Sequence, residues 1–175
     1  MKIFLQRTID KGILSRELAT NNAITGVNLR ASAVDIDFRK KDNLYCGFYF
    51  KPVVLEKGDS WSRYKARILE IKESSNIIKQ ALEYLKKNTS LEQTLINPIN
   101  LKLPEGEYYS EIEAPRGLAS LYIKSTGDTN PYRLKWRTGS FYAVNLLRKL
   151  LVGEYLNDAI AIAGSLDIIM PEVDK

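Results

Sequence analysis

Residues 111–137 read Glu-Ile-Glu-Ala-Pro-Arg-Gly-Leu-Ala-Ser-Leu-Tyr-Ile-Lys-Ser-Thr-Gly-Asp-Thr-Asn-Pro-Tyr-Arg-Leu-Lys-Trp-Arg, and this stretch decides the fold. Apolar and polar residues alternate on either side of two turn signals, Pro115-Arg116-Gly117 and Gly127-Asp128-Thr129-Asn130-Pro131. Such alternation is typical of half-buried strands, and Gly, Pro, Asn and Asp are the residues that turns favour. The stretch therefore predicts three short strands that form a small antiparallel sheet.

The third strand has two chemically different faces, because successive side chains of a strand point to opposite sides. The apolar set is Tyr132, Leu134 and Trp136, and the cationic set is Arg133, Lys135 and Arg137. We expect a hydrophobic core beneath the apolar face. The cationic face contacts either water or an acidic partner, and the sequence leaves both alternatives open.

The composition bounds the classes of function. The 175 residues are 45% hydrophobic, which is enough for one domain with a core. There is no run of about eighteen apolar residues, so we expect no transmembrane segment, and Gln6 and Arg7 interrupt the N-terminal apolar run too early for a secretory signal. The net charge of +5 permits an anionic partner, but the basic residues are interleaved with acids, so we expect no nucleic-acid binding.

Two residue types that carry much of protein chemistry are scarce. The chain has no His and one Cys, which excludes an internal disulfide and a Cys-ligated zinc or iron–sulfur centre. Cys46 lies in the aromatic run 45–50, where a buried small hydrophobe is favoured over a reactive thiol. No Gly-rich phosphate loop is present either. We expect no metal, cluster, flavin or nucleotide bound by this chain.

The clearest helix spans residues 58–88. Asp59 or Ser60 can cap it, and apolar residues recur at steps of three, four or seven over about seven turns. These residues are Trp61, Tyr64, Ile68, Ile71, Ile78, Leu82 and Leu85. A helix of this length must lie along the core or against another subunit.

The other elements are shorter. We expect a short strand or the end of an element over residues 1–9, a helix from the cap Ser15 to Asn21-Asn22, and an extended run over residues 45–55. We also expect a helix capped by Ser140 and a nearly all-apolar, largely buried helix over residues 155–163. The chain forms a single region, with a mixed segment (1–57), the long helix (58–88), a loop (89–107), and a sheet with C-terminal helices and a tail (108–175).

Three carboxylates are candidates for a special role. Asp35 and Asp37 stand close to three basic residues in sequence, so ion pairing is favoured over acid–base catalysis. Asp167 lies within an apolar C-terminal run, where a carboxylate is either paired or functional.

Several of these segments, in this order, resemble the large catalytic-arm subunit of respiratory complex I, called the D subunit, the 49-kDa subunit or, in chloroplasts, the H subunit. Residues 25–40 resemble its Thr-Gly-Pro-x-Leu-Arg-Ala-Ser-Gly-x-Asp-x-Asp-x-Arg-Lys segment. Residues 113–117 and 131–135 match its Glu-Ala-Pro-Arg-Gly and Pro-Tyr-Arg-x-Lys motifs. Residues 164–174 are similar to its Gly-Ser-x-Asp-Ile-Val-x-Gly-Glu-Val-Asp ending. The resemblance covers the C-terminal portion of the family.

The resemblance implies an α+β fold: a mostly helical core like that of nickel–iron hydrogenase large subunits, with a small antiparallel sheet. It implies a subunit of an NADH:quinone oxidoreductase that helps form the quinone-reduction cavity and is not catalytic alone. The cavity candidates are Asp167, Ile169, Met170 and Val173. The structural or interface motif residues are Arg30, Asp35, Asp37, Arg63, Arg67, Glu113, Arg116, Arg133, Lys135 and Arg137.

The same resemblance implies a ligand, partner subunits and a location for the chain. Quinone would bind at the shared cavity, and iron–sulfur clusters would lie in partner subunits. The partners would be the N-terminal half of the D subunit if that subunit is split, the small iron–sulfur B subunit, the C subunit and the membrane-arm subunits. The chain would be peripheral on the inner side of an energy-transducing membrane.

Departures from the family pattern keep two alternatives open. Leu118, Ser120 and Pro171 replace residues usual in the family, and Pro171 fixes φ where Gly is usual, so the path of the tail differs. The alternatives are the same fold in a ferredoxin-linked or hydrogenase-related membrane complex, and a non-catalytic assembly or structural subunit.

Overall fold

The computed structural model describes residues 2–88 and 102–174. The helices are α1 (Lys2–Gln6), α2 (Arg16–Asn21), α3 (Gly26–Arg30), α4 (Ser60–Lys87), α5 (Gly139–Leu150) and α6 (Leu156–Leu166). The strands are β1 (Gly106–Ala114), β2 (Gly117–Ser125) and β3 (Arg133–Arg137). Short 3-10 helices occupy Phe38–Lys40, Asn43–Tyr45 and Met170–Glu172. Among the described helices none is both long and apolar enough to traverse a bilayer.

The three strands form one antiparallel sheet in the order β1-β2-β3. The first hairpin closes with Ala114 opposite Gly117, and β3 pairs Arg137 with Ser120 and Arg133 with Lys124. Gly117 has a φ of +111°, a conformation that residues with a Cβ rarely adopt. The sheet predicted from residues 111–137 is thus confirmed, and with it the α+β class.

The apolar face of this sheet is not where the core lies, so that expectation is wrong. Leu134 and Trp136 of β3 are 54% and 59% exposed, and Ile112 of β1 is half exposed. This face lines an open cavity of about 860 Å³ instead. The opposite face of β2 packs against α3 and α5, where Leu118 is buried. The alternation predicted a sheet with two different faces, but it did not predict which face packs against the helices of this chain.

The main core lies between the N-terminal segment and the last two helices. Its buried residues are Leu14, Ala19, Ile24, Leu29, Val34, Leu146, Leu150, Ile162 and Leu166. Helix α6 contributes one face only, because Leu156 and Ile160 are more than 80% exposed. The expectation that this helix is buried on most sides is therefore wrong for the described residues.

The predicted helix starts have mixed outcomes. The side chains of Ser15 and Asp59 accept hydrogen bonds from the N–H groups of Leu18 and Ser62, which confirms both caps. Ser140 does not cap α5, since Thr138 holds the cap position. The strand expected at residues 1–9 is the helix α1, in which Phe4 packs edge-on against Trp61 and Tyr64.

The long helix ends at Lys87, close to its predicted limit. The predicted loop that follows lies mostly outside the described residues, and β1 begins at Gly106. The division of the chain into four segments stays a prediction.

The expectation that Cys46 is buried is wrong. Cys46 is exposed at the end of the 3-10 helix Asn43–Tyr45, and residues 48–55 after it are neither a helix nor a paired strand. The aromatic rings of the run 45–50 contact local groups instead of a neighbouring strand. Tyr45 packs edge-on against Phe50, and the guanidinium of Arg39 lies 5.0 Å from the centre of the Phe50 ring.

The exposure of Cys46 predicts its reactivity. The native chain should react with one equivalent of a thiol reagent, because its single cysteine is accessible without unfolding. Titration with an aromatic disulfide, with and without denaturant, measures this directly. A thiol that reacts only after denaturation would contradict the exposed position.

Candidate functional site

The site is built around Asp167, where helix α6 ends. Asp167 has φ 56° and ψ 49°, the left-handed conformation that closes a helix, and Asp tolerates it better than most residues. The chain then turns back over the start of α5. There the N–H of Ile169 donates to Ser140 Oγ at 3.3 Å, and Thr138 Oγ1 donates to the carbonyl of Glu172 at 2.7 Å. The tail is therefore tied to the body of the molecule.

Two arginines approach Asp167 from different elements. Arg116, in the β1–β2 turn, donates from Nε to the Asp167 carbonyl at 2.9 Å and places Nη2 3.4 Å from Oδ1. Arg67 on α4 places Nε 4.0 Å from Oδ2. The carboxylate remains 40% exposed. Asp167 is thus paired, and it still faces open space.

Helix α4 adds a second, deeply buried arginine one turn before Arg67. Arg63 is fully buried, and it donates to the carbonyls of Gly58 and Gly12 and to the hydroxyls of Ser60 and Ser165. No described carboxylate lies within 4.0 Å of its guanidinium. Burial and the neighbouring charge of Arg67 lower the pKa of Arg63 to about 10.

Arg67 has one donor, Nε, for which the described residues provide no hydrogen-bond acceptor. Nη1 donates to the carbonyls of Arg63 and Ser165, and Nη2 donates to Asn28 Oδ1. Nε is buried and has no hydrogen-bond partner among the described residues. Burial lowers the pKa of Arg67 and the charge of Asp167 opposes that shift. A buried donor without a hydrogen-bond partner is uncommon in folded proteins, and at this nitrogen the described residues supply no acceptor.

Arg67 and Asp167 line two neighbouring cavities. One, of about 280 Å³, is also bounded by Phe4, Tyr64 and Ser165. The other, of about 460 Å³, is also bounded by residues of the α3, α4 and hairpin segments, namely Val27, Arg30, Arg39, Tyr45, Glu70, Ile71, Ser74, Glu113, Ala114 and Pro115. The Arg67–Asp167 pair therefore stands between two clefts that combine apolar walls with a few charged groups.

A buried ion network forms the floor of the larger cleft. Arg30 is 1% exposed and lies 2.8 Å from Glu113, 2.8 Å from Glu70 and 3.5 Å from Asp37. Arg39 lies 2.6 Å from Asp37 and 3.2 Å from Glu70. Two cations thus hold three carboxylates together, linking α3, α4 and β1.

The pKa values of this network follow from burial and pairing. Burial raises the pKa of Glu113, and Arg30 only partly offsets it. Burial would also raise the pKa of Asp37, but the hydrogen bond from Arg39 and the charge of Arg30 outweigh it and lower that pKa. The ion pairing expected for Asp37 is confirmed. Asp35 also pairs, with the exposed Lys40 at 3.1 Å.

The cationic sheet face is smaller than the sequence predicts. Arg133 and Lys135 are exposed and line a cavity of about 510 Å³ with Tyr109 and Tyr122. Arg137 instead serves its own chain: it donates to the carbonyls of Leu118 and Ala23 at 3.2 and 2.8 Å, and its guanidinium lies 4.4 Å from the centre of the Tyr142 ring.

The structure brings only part of the predicted cavity set together. Asp167 lines both clefts, whereas Ile169, Met170 and Val173 line neither, and Met170 is 65% exposed. Glu70 belongs to the site through Arg30. Both Glu70, in the long helix, and Ser165, in the Gly-Ser-x-Asp motif, match the family pattern, but that match assigned neither residue to the site.

Comparison with known proteins gives a consistent result. The family model described as "Respiratory-chain NADH dehydrogenase, 49 Kd subunit" matches residues 1–175. The chain is 43% identical over 175 residues to the D subunit of NADH-quinone oxidoreductase from Bacillus cytotoxicus, and 43% identical to that of Geobacillus thermodenitrificans. Each alignment covers 99% of this chain and 47% of the relative. The chain therefore spans about half the length of the curated relatives that it matches.

One solved structure extends this likeness to a different complex. A chain of the membrane-bound sulfane sulfur reductase, described as an archaeal respiratory membrane complex, superposes with a TM-score of 0.90 at 34% identity. The match covers all of this chain and 48% of that one.

Proposed function

The chain belongs to the 49-kDa subunit family of the respiratory-chain NADH dehydrogenase, and from this membership we propose that it forms one wall of the quinone-reduction cavity of a complex I-type oxidoreductase. The single observation that carries the proposal is the Arg67–Asp167 ion pair, which lines two clefts and includes a buried nitrogen, Arg67 Nε, without a hydrogen-bond partner among the described residues. The proposal concerns the half of the 49-kDa protein that this chain spans.

The chemistry of the pair suits a quinone headgroup. A quinone presents two carbonyl oxygens, which are acceptors, and it gains negative charge as it is reduced. Arg67 Nε and the Arg116 guanidinium are donors with fixed positive charge, and they would stabilise that charge as it develops. The apolar wall residues Val27 and Ala114 would contact the ring and the start of the tail. Asp167 lies 3.4 Å from Arg116 and 4.0 Å from Arg67, so its negative charge would favour the position of both guanidinium groups beside the clefts.

The remaining parts of the proposal concern partners. Electrons would arrive from an iron–sulfur cluster held by the small B subunit, with Val173 on that side. The N-terminal portion of the D subunit, the C subunit and the membrane-arm subunits would complete the assembly on the inner side of the membrane. The described residues contain no group of three or more metal-ligating side chains, and the scarcity of His and Cys agrees with clusters held elsewhere.

Asp167→Asn tests the role of the carboxylate. Asn also tolerates the left-handed conformation, so the variant should fold while losing the charge that orients Arg67 and Arg116. In complex purified from native membranes, we expect quinone reduction to fall on the order of tenfold or more. Electron transfer from NADH to ferricyanide, which does not use the cavity, should be unchanged.

The matched control is Asp35→Asn. Asp35 is an exposed carboxylate whose partner, Lys40, is also exposed, so its loss should leave both activities unchanged. If Asp167→Asn also left quinone reduction unchanged, the cavity proposal would fail and the non-catalytic alternative would stand.

The structural likeness favours one second candidate. The sulfane sulfur reductase chain shares this fold over the whole length of the present chain, so a second respiratory complex on the same scaffold is the alternative. Its electron donor or acceptor would differ from those of complex I. Assaying the purified complex with a quinone and, separately, with a polysulfide as acceptor distinguishes the two candidates.

A further inference from the structure

Helix α4 carries an apolar stripe that the described residues leave largely exposed, apart from the contact of Phe4 with its first member, Tyr64. The stripe, here called the seam, consists of Tyr64, Ile68, Ile71, Ser75, Ile78, Leu82 and Leu85. Its six apolar members are each 44–62% exposed. The single polar member, Ser75, donates its hydroxyl to the carbonyl of Ile71 within the same helix, so it needs no partner from outside. The seam is therefore a continuous surface able to pack against another element.

The spacing of the seam specifies what kind of element that is. Its residues follow one another by alternating steps of four and three over three heptads, which is the period of a coiled-coil seam. A helix with this pattern buries its stripe against a second helix. The opposite face of α4 is already occupied, because Glu70 binds Arg30, Glu73 accepts from the N–H of Lys51, and Gln80 binds Tyr49.

One flank of the seam is a row of lysines. Lys65, Lys72, Lys79 and Lys86 each follow a seam residue and recur every seven residues, at the position that faces the neighbouring helix in a coiled coil. All four are exposed, and none forms an ion pair with a described residue. The other flank consists of Arg67, Ser74, Ala81 and Asn88 and has no carboxylate. The flanks therefore fit a helix whose own edge is acidic.

A second copy of this chain does not meet that requirement. In an antiparallel pair of α4 helices, the lysine rows would face each other. In a parallel pair, each row would face the other flank, which offers no carboxylate. Like charges at these positions disfavour pairing, so charge complementarity excludes self-association through the seam.

We propose that the seam of α4 packs against an amphipathic helix with an acidic flank, supplied by the part of the 49-kDa protein for which this chain has no counterpart. The relatives and the structural neighbour are each about twice as long as the matched region, so their additional length is available to cover this face. The inference rests on the partner named in the proposed function and adds the surface and the charge pattern through which the partner binds.

The test measures association of the full chain with a defined probe. The probe is the unmatched remainder of the D subunit from Bacillus cytotoxicus, produced as a separate polypeptide. We expect the wild-type chain to bind it, and Ile71→Ser/Ile78→Ser to weaken binding at least about tenfold, because two exposed seam residues lose their apolar contact. Leu44→Ser/Val152→Ser, which removes equally exposed apolar residues elsewhere, should bind like wild type.

A second pair of variants tests the lysine row. Lys72→Glu/Lys79→Glu should weaken binding, and the loss should become smaller at high salt because the new repulsion is screened. Lys41→Glu/Lys87→Glu, with the same change of charge off the seam, should bind like wild type. Far-UV circular dichroism should show equal helix content in all four variants. Equal binding by all variants would overturn the inference alone. Two other results would also overturn it: self-association through the seam, and seam-dependent binding to anionic lipid vesicles. Failure of the wild-type chain to bind would overturn the inference and remove the proposed partner as well.

Discussion

Replacing Arg30 by methionine is expected to lower the free energy of unfolding of this chain by about 3–5 kcal/mol. Methionine is similarly long but supplies no donor, so Asp37, Glu70 and Glu113 would lose the cation that they share. The side chains of Asp37 and Glu113 are 0% and 5% exposed, so water cannot take over the role of the guanidinium. Urea unfolding at neutral pH measures the loss.

The effect of this substitution should depend on pH. In the folded chain Arg30 lowers the pKa of Asp37 and opposes the raised pKa of Glu113, so its removal raises both values. The folded variant then takes up protons at a higher pH than the folded wild type. Acidification therefore stabilises the variant relative to wild type, and the difference in unfolding free energy should shrink as the pH falls through the raised pKa of Glu113.

Two further variants keep this prediction testable if the methionine variant does not fold. Arg30→Lys retains the charge but not the planar fork that reaches three carboxylates, so it should fall between wild type and methionine. Arg16→Met removes an exposed arginine at the start of α2 and should change stability by less than about 0.5 kcal/mol. If Arg16→Met and Arg30→Met lowered the free energy of unfolding equally, the buried ion network would make no specific contribution to stability.

The sequence predicted the elements with a strong internal period. Helix α4 and the two hairpins were found because their signals are local: an apolar repeat, a cap, and turn residues between alternating strands. The cap at Asp59 and the ion pairing of Asp37 also depend on near neighbours. Local signals sufficed wherever both partners of a contact lie within a few residues.

The site depends on contacts that no local pattern encodes. Arg30 meets Glu113 across 83 residues, and Arg116 meets Asp167 across 51. The apolar run around Asp167 and the resemblance to a known family pointed to some of these positions, but neither said which side chains meet. The expectations for Cys46 and for the apolar sheet face were wrong for a related reason. A sequence pattern shows that a surface is apolar. Whether this chain, a partner or water covers that surface depends on the tertiary and quaternary structure.

The substitution Gly139→Ala should have an effect opposite to that of most glycine-to-alanine changes in helices. Alanine normally stabilises a helix by about 1 kcal/mol relative to glycine. At Gly139, however, an added Cβ would overlap the carbonyl oxygen of Arg116, which is backbone and cannot rotate away. We expect a net loss of about 3 kcal/mol, because either α5 or the β1–β2 turn must shift.

Gly164→Ala provides the matched control, since it makes the same change in α6, where no heavy atom outside its own helix backbone and chain neighbours lies within 4 Å of an added Cβ. It should leave the chain as stable as wild type or slightly more stable, so the same substitution should change stability in opposite directions in two neighbouring helices.

The Gly139→Ala substitution should also affect the candidate site. Arg116 is held between the start of α5 and the carbonyl of Asp167, so displacing its backbone withdraws the guanidinium from that carboxylate. In the assembled complex Gly139→Ala should therefore reduce quinone reduction in the same direction as Asp167→Asn. If it unfolded at the wild-type urea concentration and kept full activity, the close approach of α5 to the turn would not be what positions Arg116.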